Sequence, residues 1–455
     1  MNENNNKLIK KVDKILNDLF PLNRSLTGSG VLETFKYIKK FLPGAKINYL
    51  KSGTKIFDWT IPEEWEVKDA YVINSNGEKI IDFKKNNLHL VSYSSSIDKI
   101  VDKKELLRHL HALPKFPDRI PYRTSYYNKN WGFCCTQKLI DSKKFVGPFK
   151  VLIDSSHDKN GKLGWIEYIK PGSTKEEILI STYCCHPSLA NDNLSGMVLG
   201  LLLFEYLKTI KSKYTYRLVI APETIGAIAF LSQAYTKTIK GGMILSCVAG
   251  RDPISIKESF NKDHFVNKAA HLAIKKLIGK EYTIYPFSPN GSDERQYSSP
   301  GFRIVTPSIH KSKYYEYDQY HTSADNLEYI TPNALCETLA VHKEWIKLIE
   351  TYCFPLRKEM FCEYQLGKLD LYPVIGGAGH QTAHEENKVK SKDRKINLNN
   401  KVAIKQAHLD AFNWLMHLAD GSNSNFQIAE ISSLDISIIN EAIDMMYQKD
   451  LLKLS

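Results

Sequence analysis

A chain of 455 residues, 43% hydrophobic and 25% charged, is long enough for roughly two to four domains and builds ordinary buried cores. It has no uncharged apolar run of about 18 residues and no apolar signal core at its amino terminus, which excludes a membrane span and leads us to expect a cytoplasmic protein. The net charge of +12 is spread through mixed runs such as 102–108 and 386–394, the pattern of a solvated surface rather than a nucleic-acid patch, and the eight cysteines include no CxxC, so neither a zinc ribbon nor a disulfide scaffold is indicated.

In chain order, apolar residues at helical spacing predict helices over 6–19 and 30–42. Arg24 and Ser25, in the loop between them, read either as a substrate-facing pair or as a turn and cap. From 47 to 125 the texture changes to short β-like runs with an Asn76-Gly77 turn, a small β-rich domain inserted into a larger one formed by 1–46 and 126–354.

The α/β pattern resumes with strands near 149–154, 164–169 and 177–183, a helix over 195–210 and a strand over 217–221. The run 178–183 reads as a buried parallel strand, and His186 and Asp192 follow it in the crevice where open α/β sheets bind ligands. Glu223 stands at the end of the next strand, between Pro222 and Gly226, poorly placed for a core and well placed for chemistry. A strand over 242–250 and a helix over 265–278 precede a polar loop, Asn290 to Tyr297, and a tyrosine-rich turn carries His321 ahead of a helix over 333–349.

Zinc takes histidine nitrogens and carboxylate oxygens and, in catalytic sites, keeps a position open for water. His186, Asp192 and His321 supply such a set, and Glu223 is placed to act as the general base toward the water that the metal activates. Asp293, Arg295 and Tyr297, with Tyr320 and Arg24, are the candidates for holding substrate.

The order His186, Asn191-Asp192-Asn193-Leu-Ser-Gly, Glu223-Thr-Ile-Gly, Ser292-Asp293 and Tyr320-His321-Thr resembles the cocatalytic zinc aminopeptidases. The longer match of Cys185-His-Pro-Ser-Leu-Ala-Asn-Asp-Asn with Asn23-Arg-Ser-Leu-Thr-Gly resembles bacterial aminopeptidase-like proteins that carry an inserted domain and a C-terminal winged helix. The resemblance implies a mixed, mostly parallel sheet sandwiched by helices, metal ligands at His186, Asp192 and His321, and a base at Glu223. It also exposes departures. Ser188 stands where the family has an aspartate orienting the first histidine, Thr224 replaces the second glutamate of a pair, and Cys247 replaces an aspartate on the following strand. With two ligands missing, one zinc per chain is expected rather than two, and Glu223 stays open between two roles, the base or a metal ligand, the latter leaving Asp293 or Glu294 as the base. Cys247 then reads as a small buried strand residue before a thiolate ligand.

The stretch 355–400 reads as an irregular connector, and 401–455 as a winged helix-turn-helix with helices over 406–418, 425–430 and 435–448. DNA is not the expected partner: the stretch from Asp435 to Asp450, which holds the last helix, carries Asp435, Glu441, Asp444 and Asp450 against Lys449, and phosphate would repel it. A homo-oligomer or protein contact is the expected use of that module. The sequence therefore points to a zinc-dependent hydrolase of amide bonds acting on peptides or on aminoacyl or acylamino small molecules, and no membrane partner. The competing expectation is a non-catalytic ligand-binding or regulatory protein on a decayed peptidase fold.

Overall fold

The computed structural model describes residues 3–125, 128–372 and 406–454. Most of the expected connector, including the charged run from His380 to Arg394, and the first residues of the C-terminal module lie outside them. The chain divides into two compact units, Met1–Glu350 and Thr351–Ser455.

The first unit opens with α1 (Glu3–Leu19), α2 (Ser29–Phe41) and β1 (Lys46–Lys51). A second group follows: β2 (Glu64–Ile73), β3 (Lys79–Asp82), β4 (Ile97–Val101) and β5 (Phe149–Asp158). Then come β6 (Lys162–Lys170), β7 (Glu177–Tyr183), α3 (Ser195–Lys208), β8 (Thr215–Ala221), α4 (Ile225–Gln233) and β9 (Ile239–Leu245). The unit ends with β10 (Ile254–Lys257), α5 (Phe265–Leu277), β11 (Thr283–Tyr285), α6 (Glu294–Tyr297), β12 (Ser308–Lys311) and α7 (Pro332–Glu350).

Among the described residues the main sheet has eight strands in the order β1-β6-β8-β7-β9-β12-β10-β11. Its centre, β8-β7-β9-β12, is parallel, and antiparallel pairs enter on both sides. Every residue of β7 is buried, as a strand covered on both faces requires, which is why its sequence runs apolar without alternating. Side chains alternate between the two faces. One set, Leu179 and Val219, joins α4 residues Ala227 and Phe230 and the small-sheet residue Trp65 in one core cluster. The other set includes Leu218, against which Gly200 of α3 lies directly. The expected mixed sheet between helices is therefore present.

The boundaries of the inserted unit need correction. β1, assigned to the insertion by sequence, pairs with β6 in the main sheet, and β5, assigned to the main sheet, pairs with β2 and β4 in the small sheet, ordered β3-β2-β5-β4. The physical signal lies in β5 itself. Its burial alternates along Phe149–Asp158, the mark of a strand covered on one face, whereas β7 is buried throughout.

The second unit contains β13 (Pro355–Arg357), α8 (Gln406–Leu418), α9 (Asn425–Ser432), α10 (Ile436–Gln448) and β14 (Leu452–Leu454), with β13 and β14 antiparallel. In place of the expected winged helix-turn-helix, the described residues form three helices and this two-stranded ribbon. Residues 355–357, expected in the connector, form a strand of the unit instead. A three-residue strand carries too little pattern to be read without its partner.

Candidate metal and catalytic site

The loop after β7 is held in place by its own polar side chains. Asn191 Oδ1 accepts the Ala249 N–H at 2.9 Å, and its Nδ2 donates to the Ser312 carbonyl at 3.1 Å. Asn193 Nδ2 donates to Thr182 Oγ1 at 2.8 Å and to the Leu245 carbonyl at 3.0 Å, while its Oδ1 accepts the Cys247 N–H at 3.2 Å. Ser195 Oγ donates to the Asn191 carbonyl at 2.7 Å and accepts from the Val248 N–H at 3.1 Å. Gly196 is required next: a Cβ there would sit 2.4 Å from the Leu245 carbonyl oxygen. The Asn-Asp-Asn-Leu-Ser-Gly run thus ties the end of β7 to the end of β9, leaving the Asp192 carboxylate free to face the crevice.

Three of the expected ligands meet there. His186 Nδ1 lies 3.6 Å from Asp192 Oδ1, and His321 Nε2 lies 2.9 Å from Asp192 Oδ2. One ligand atom from each of His186, Asp192 and His321 falls within 4.8 Å of the other two. His186 Nδ1 is buried and has no hydrogen-bond partner among the described residues, while the equally buried Asp192 Oδ2 and His321 Nε2 face each other at 2.9 Å. Leaving the His186 nitrogen unsatisfied is costly, and a cation shared with the Asp192–His321 pair would satisfy it, so the donor set fits a metal ion.

The electrostatics suit ligation. Burial, with His321 and Arg24 nearby, lowers His186 to about 4 despite the Asp192 carboxylate, so the ring is neutral near pH 7. Burial opposes the charge on Asp192, but His186, His321 and the Tyr183 hydroxyl outweigh it and hold the carboxyl at about 2. Tyr183 donates to Asp192 Oδ1.

Glu223 is partly exposed at the end of β8, its Oε2 3.7 Å from His186 Nε2. Burial and the nearby Asp293 and Asp192 carboxyls push it well above the usual carboxylate range. Thr224, where the resemblance led us to look for a second carboxylate, adopts φ 65° and starts α4. Asp293, expected to hold substrate, is buried and accepts the Thr224 N–H at 2.7 Å, which makes it an anchor for the Glu223 turn. Arg295 is exposed beside it and donates to Thr224 Oγ1 at 3.0 Å. Tyr320 stacks on the His321 ring, centroids 3.9 Å apart.

Two expected substrate residues do not face the crevice. Tyr297 is wholly buried in the core, its hydroxyl 2.8 Å from Ser181 Oγ. Arg24 is also wholly buried; its guanidinium donates to the carbonyls of Leu19 and His186, clamping the backbone beneath the first ligand. An arginine next to a turn looks the same in sequence whether it points out or in. Cys247 is likewise displaced from expectation: β9 ends at Leu245, and Cys247 sits past it at φ 53° with Sγ 3.8 Å from Asp192 Oδ1. Ser188 does not orient His186. Its hydroxyl accepts from Asn87 Nδ2 at 2.8 Å and donates to the Phe20 carbonyl at 3.3 Å.

Sequence reasoning missed three contributors. Asp325 accepts the backbone N–H groups of Asn191 and Asp192. Cys185 Sγ accepts the Glu223 N–H at 3.3 Å. Tyr122 sets its ring edge-on to His186 and His321, at 5.0 and 5.1 Å between centroids, and donates its N–H to the His321 carbonyl at 2.8 Å. Asp325 stands four residues after His321 in the sequence, whereas nothing in the sequence around Tyr122 links it to the histidines.

A mixed sheet whose parallel centre gathers two histidines and an aspartate at its carboxyl edge defines an α/β protein with an aminopeptidase-like fold. Comparison with known proteins agrees. A zinc aminopeptidase from Bacillus subtilis shares the fold at a TM-score of 0.55 and 13% identity, over 75% of this chain and 94% of that one. A Clostridium acetobutylicum protein, provisionally named as a polysaccharide biosynthesis protein with an aminopeptidase-like domain, is 40% identical over 99% of this chain and 98% of its own length. A crystal structure of a provisionally assigned peptidase from Clostridium acetobutylicum aligns at a TM-score of 0.85 with 40% identity, covering 100% of this chain and 98% of that one. The chain belongs to the family described as a domain of unknown function, DUF4910, whose model matches residues 13–352. Among the described residues no helix is long and apolar enough to cross a membrane.

Proposed function

We propose that this protein is a zinc-dependent hydrolase of amide bonds, with one zinc per chain held by His186, Asp192 and His321. The observation that carries the reading is the convergence of one ligand atom each from His186, Asp192 and His321 to within 4.8 Å of one another, with His186 Nδ1 buried and without a hydrogen-bond partner among the described residues. Zinc bound there would supply Lewis acidity, polarising a carbonyl and making water nucleophilic near neutral pH. The chain's residues do the rest. Glu223, partly exposed beside His186, takes the proton of the attacking water and delivers it to the leaving nitrogen. Asp293 fixes the Glu223 turn through the Thr224 N–H, and Arg295 and Tyr320 border the open side, where they hold substrate.

The substrate is a peptide or an aminoacyl or acylamino small molecule. The name of the Clostridium relative favours an amide of an amino sugar within the last class. The eight free cysteines are consistent with a cytoplasmic setting. The C-terminal unit serves a second copy or a protein partner rather than DNA, because Glu441 and Asp444 lie on α10 and Asp435 caps it. The replacement of two expected ligands by Thr224 and Cys247 favours a second reading, a ligand-binding protein without catalysis.

The test is zinc content together with hydrolysis. Roughly one zinc per chain, absent from His186→Ala, with amino-acid release from an aminoacyl substrate that His321→Ala abolishes, supports the hydrolase. Zinc bound without turnover across peptide, aminoacyl and acylamino substrates would support the ligand-binding reading instead.

A further inference from the structure

A second group of donor atoms overlaps the first. One ligand atom from each of Cys185, His186 and Glu223 lies within 4.8 Å of the other two. The two groups use opposite edges of the His186 ring: Nδ1 faces Asp192, and Nε2 faces Glu223 Oε2 at 3.7 Å. Cys185 Sγ lies under the same turn, accepting the Glu223 N–H at 3.3 Å, and Cys185 is 4% exposed. Cys247, the cysteine nearer Asp192, belongs to neither group.

We infer that Cys185, His186 and Glu223 form a binding site for a thiophilic divalent cation, alternative to the His186–Asp192–His321 set. A thiolate donor selects soft metals, whereas an imidazole and carboxylate set without sulfur does not. The two sites exclude each other because a neutral imidazole has one nitrogen lone pair to give; the other nitrogen carries its proton. On binding at Nε2 the ring proton moves to Nδ1, where it faces Asp192 Oδ1 at 3.6 Å. The Cys185 thiol and the Glu223 carboxyl release their protons to solvent as the metal–sulfur and metal–oxygen bonds form, leaving a thiolate and a carboxylate whose two negative charges match a divalent ion. Such an ion ties up both His186 and Glu223. If the hydrolase reading holds, a soft metal is therefore an inhibitor acting at the catalytic residues; the binding itself does not depend on that reading.

The experiment titrates the metal-free full chain, carrying Cys362→Ser to remove the exposed thiol, with cadmium chloride. A thiolate-to-cadmium absorption band should rise to about one cadmium per chain, vanish in Cys185→Ser and persist in Cys247→Ser and His321→Ala. Should Cys185→Ser not fold, cadmium-113 NMR on the Cys362→Ser chain with and without Cys247→Ser reads sulfur ligation directly: a sulfur-ligated signal kept in both supports the site, and its loss with Cys247→Ser or its absence overturns it. A band that survives Cys185→Ser, disappears in Cys247→Ser or never forms overturns the inference. The two readings fail separately. Cys185→Ser should keep its zinc, and a loss of zinc there would count against the His186–Asp192–His321 set while the cadmium band still reports on the sulfur set.

Discussion

Asp325 holds Asp192 by its peptide rather than its side chain: Asp325 Oδ2 accepts the Asp192 N–H at 3.0 Å, while Oδ1 accepts the neighbouring Asn191 N–H at 2.6 Å. The Tyr317 hydroxyl donates to the same Oδ2 at 3.0 Å. Both partners of Asp192 in the crevice, His186 and His321, depend on where this peptide sets the carboxylate. Asp325→Asn keeps the shape but turns one acceptor into a donor facing a donor. Residues that orient metal ligands in this way typically change affinity about 10- to 100-fold. Competition with a zinc chelator should show a weakening of that order in Asp325→Asn, with the fold retained by circular dichroism. Unchanged affinity would show that Asn191 and Asn193 alone position the carboxylate.

Arg24 offers a contrasting outcome, since it reaches only backbone. Arg24→Met fills most of the volume, leaves the His186 carbonyl without its donor and leaves the Leu19 carbonyl with the Leu22 N–H alone. Each buried acceptor left unpaired costs about 1–3 kcal/mol. Urea unfolding should report a loss in that range or somewhat above it, and the KM for any substrate found should move little in the protein that remains folded. A large rise in KM with stability unchanged would return Arg24 to the substrate pocket.

What could be read from sequence follows what each residue has to satisfy locally. The buried run of β7, the candidate ligands His186 and Asp192 just beyond it and the helical pattern of α3 are adjacent in the chain, so the strand, loop and helix were legible together. His186, Asp192, Glu223 and His321 each follow a strand of the main sheet, and the rule that α/β crevices lie at carboxyl strand ends gathers them without coordinates. The failures are long-range. Whether β5 joins the small sheet or the main one is decided by β2 and β4, and whether Arg24 points inward is decided by a carbonyl at residue 186. Tyr122 reaches the histidines through Ile120–Ser323 backbone pairing across about two hundred positions of chain, a contact no local pattern announces.

Two histidines away from the crevice make stability depend on pH. Burial holds His310 down to about 3, with Lys313, Lys257 and His342 nearby, and burial likewise lowers His342 to about 4. Unfolded histidine titrates near 6.5, so below that pH the unfolded chain takes up protons that the folded chain refuses. The stabilisation is whole above about pH 6.5 and is lost as the pH falls toward 4, at up to about 1.4 kcal/mol per pH unit for each ring. The urea midpoint should therefore drop steeply between pH 7 and pH 4. His342 Nε2 has no partner among the described residues, so His342→Leu forfeits only the Nδ1 bond to the Thr338 carbonyl. That variant should show a shallower acid slope; a slope equal to that of the parent chain would mean that His342 is protonated in the folded state.

Glu223→Gln separates the base from the ligand role. Glutamine has nearly the same shape, and the Glu223 N–H that binds Cys185 Sγ belongs to the backbone, so the turn held by Asp293 and Arg295 stays in place. The side-chain amide cannot accept a proton from water. If Glu223 acts as the base, zinc content stays at the parental level while hydrolysis falls about 10²- to 10⁴-fold, the usual contribution of a positioned proton acceptor. A carboxylate that instead belonged to the zinc shell would give a different result: zinc would dissociate more readily from Glu223→Gln, and adding zinc would restore part of the activity. Measuring zinc affinity and turnover on one preparation distinguishes these outcomes, because loss of the base leaves affinity intact and loss of a ligand lowers both.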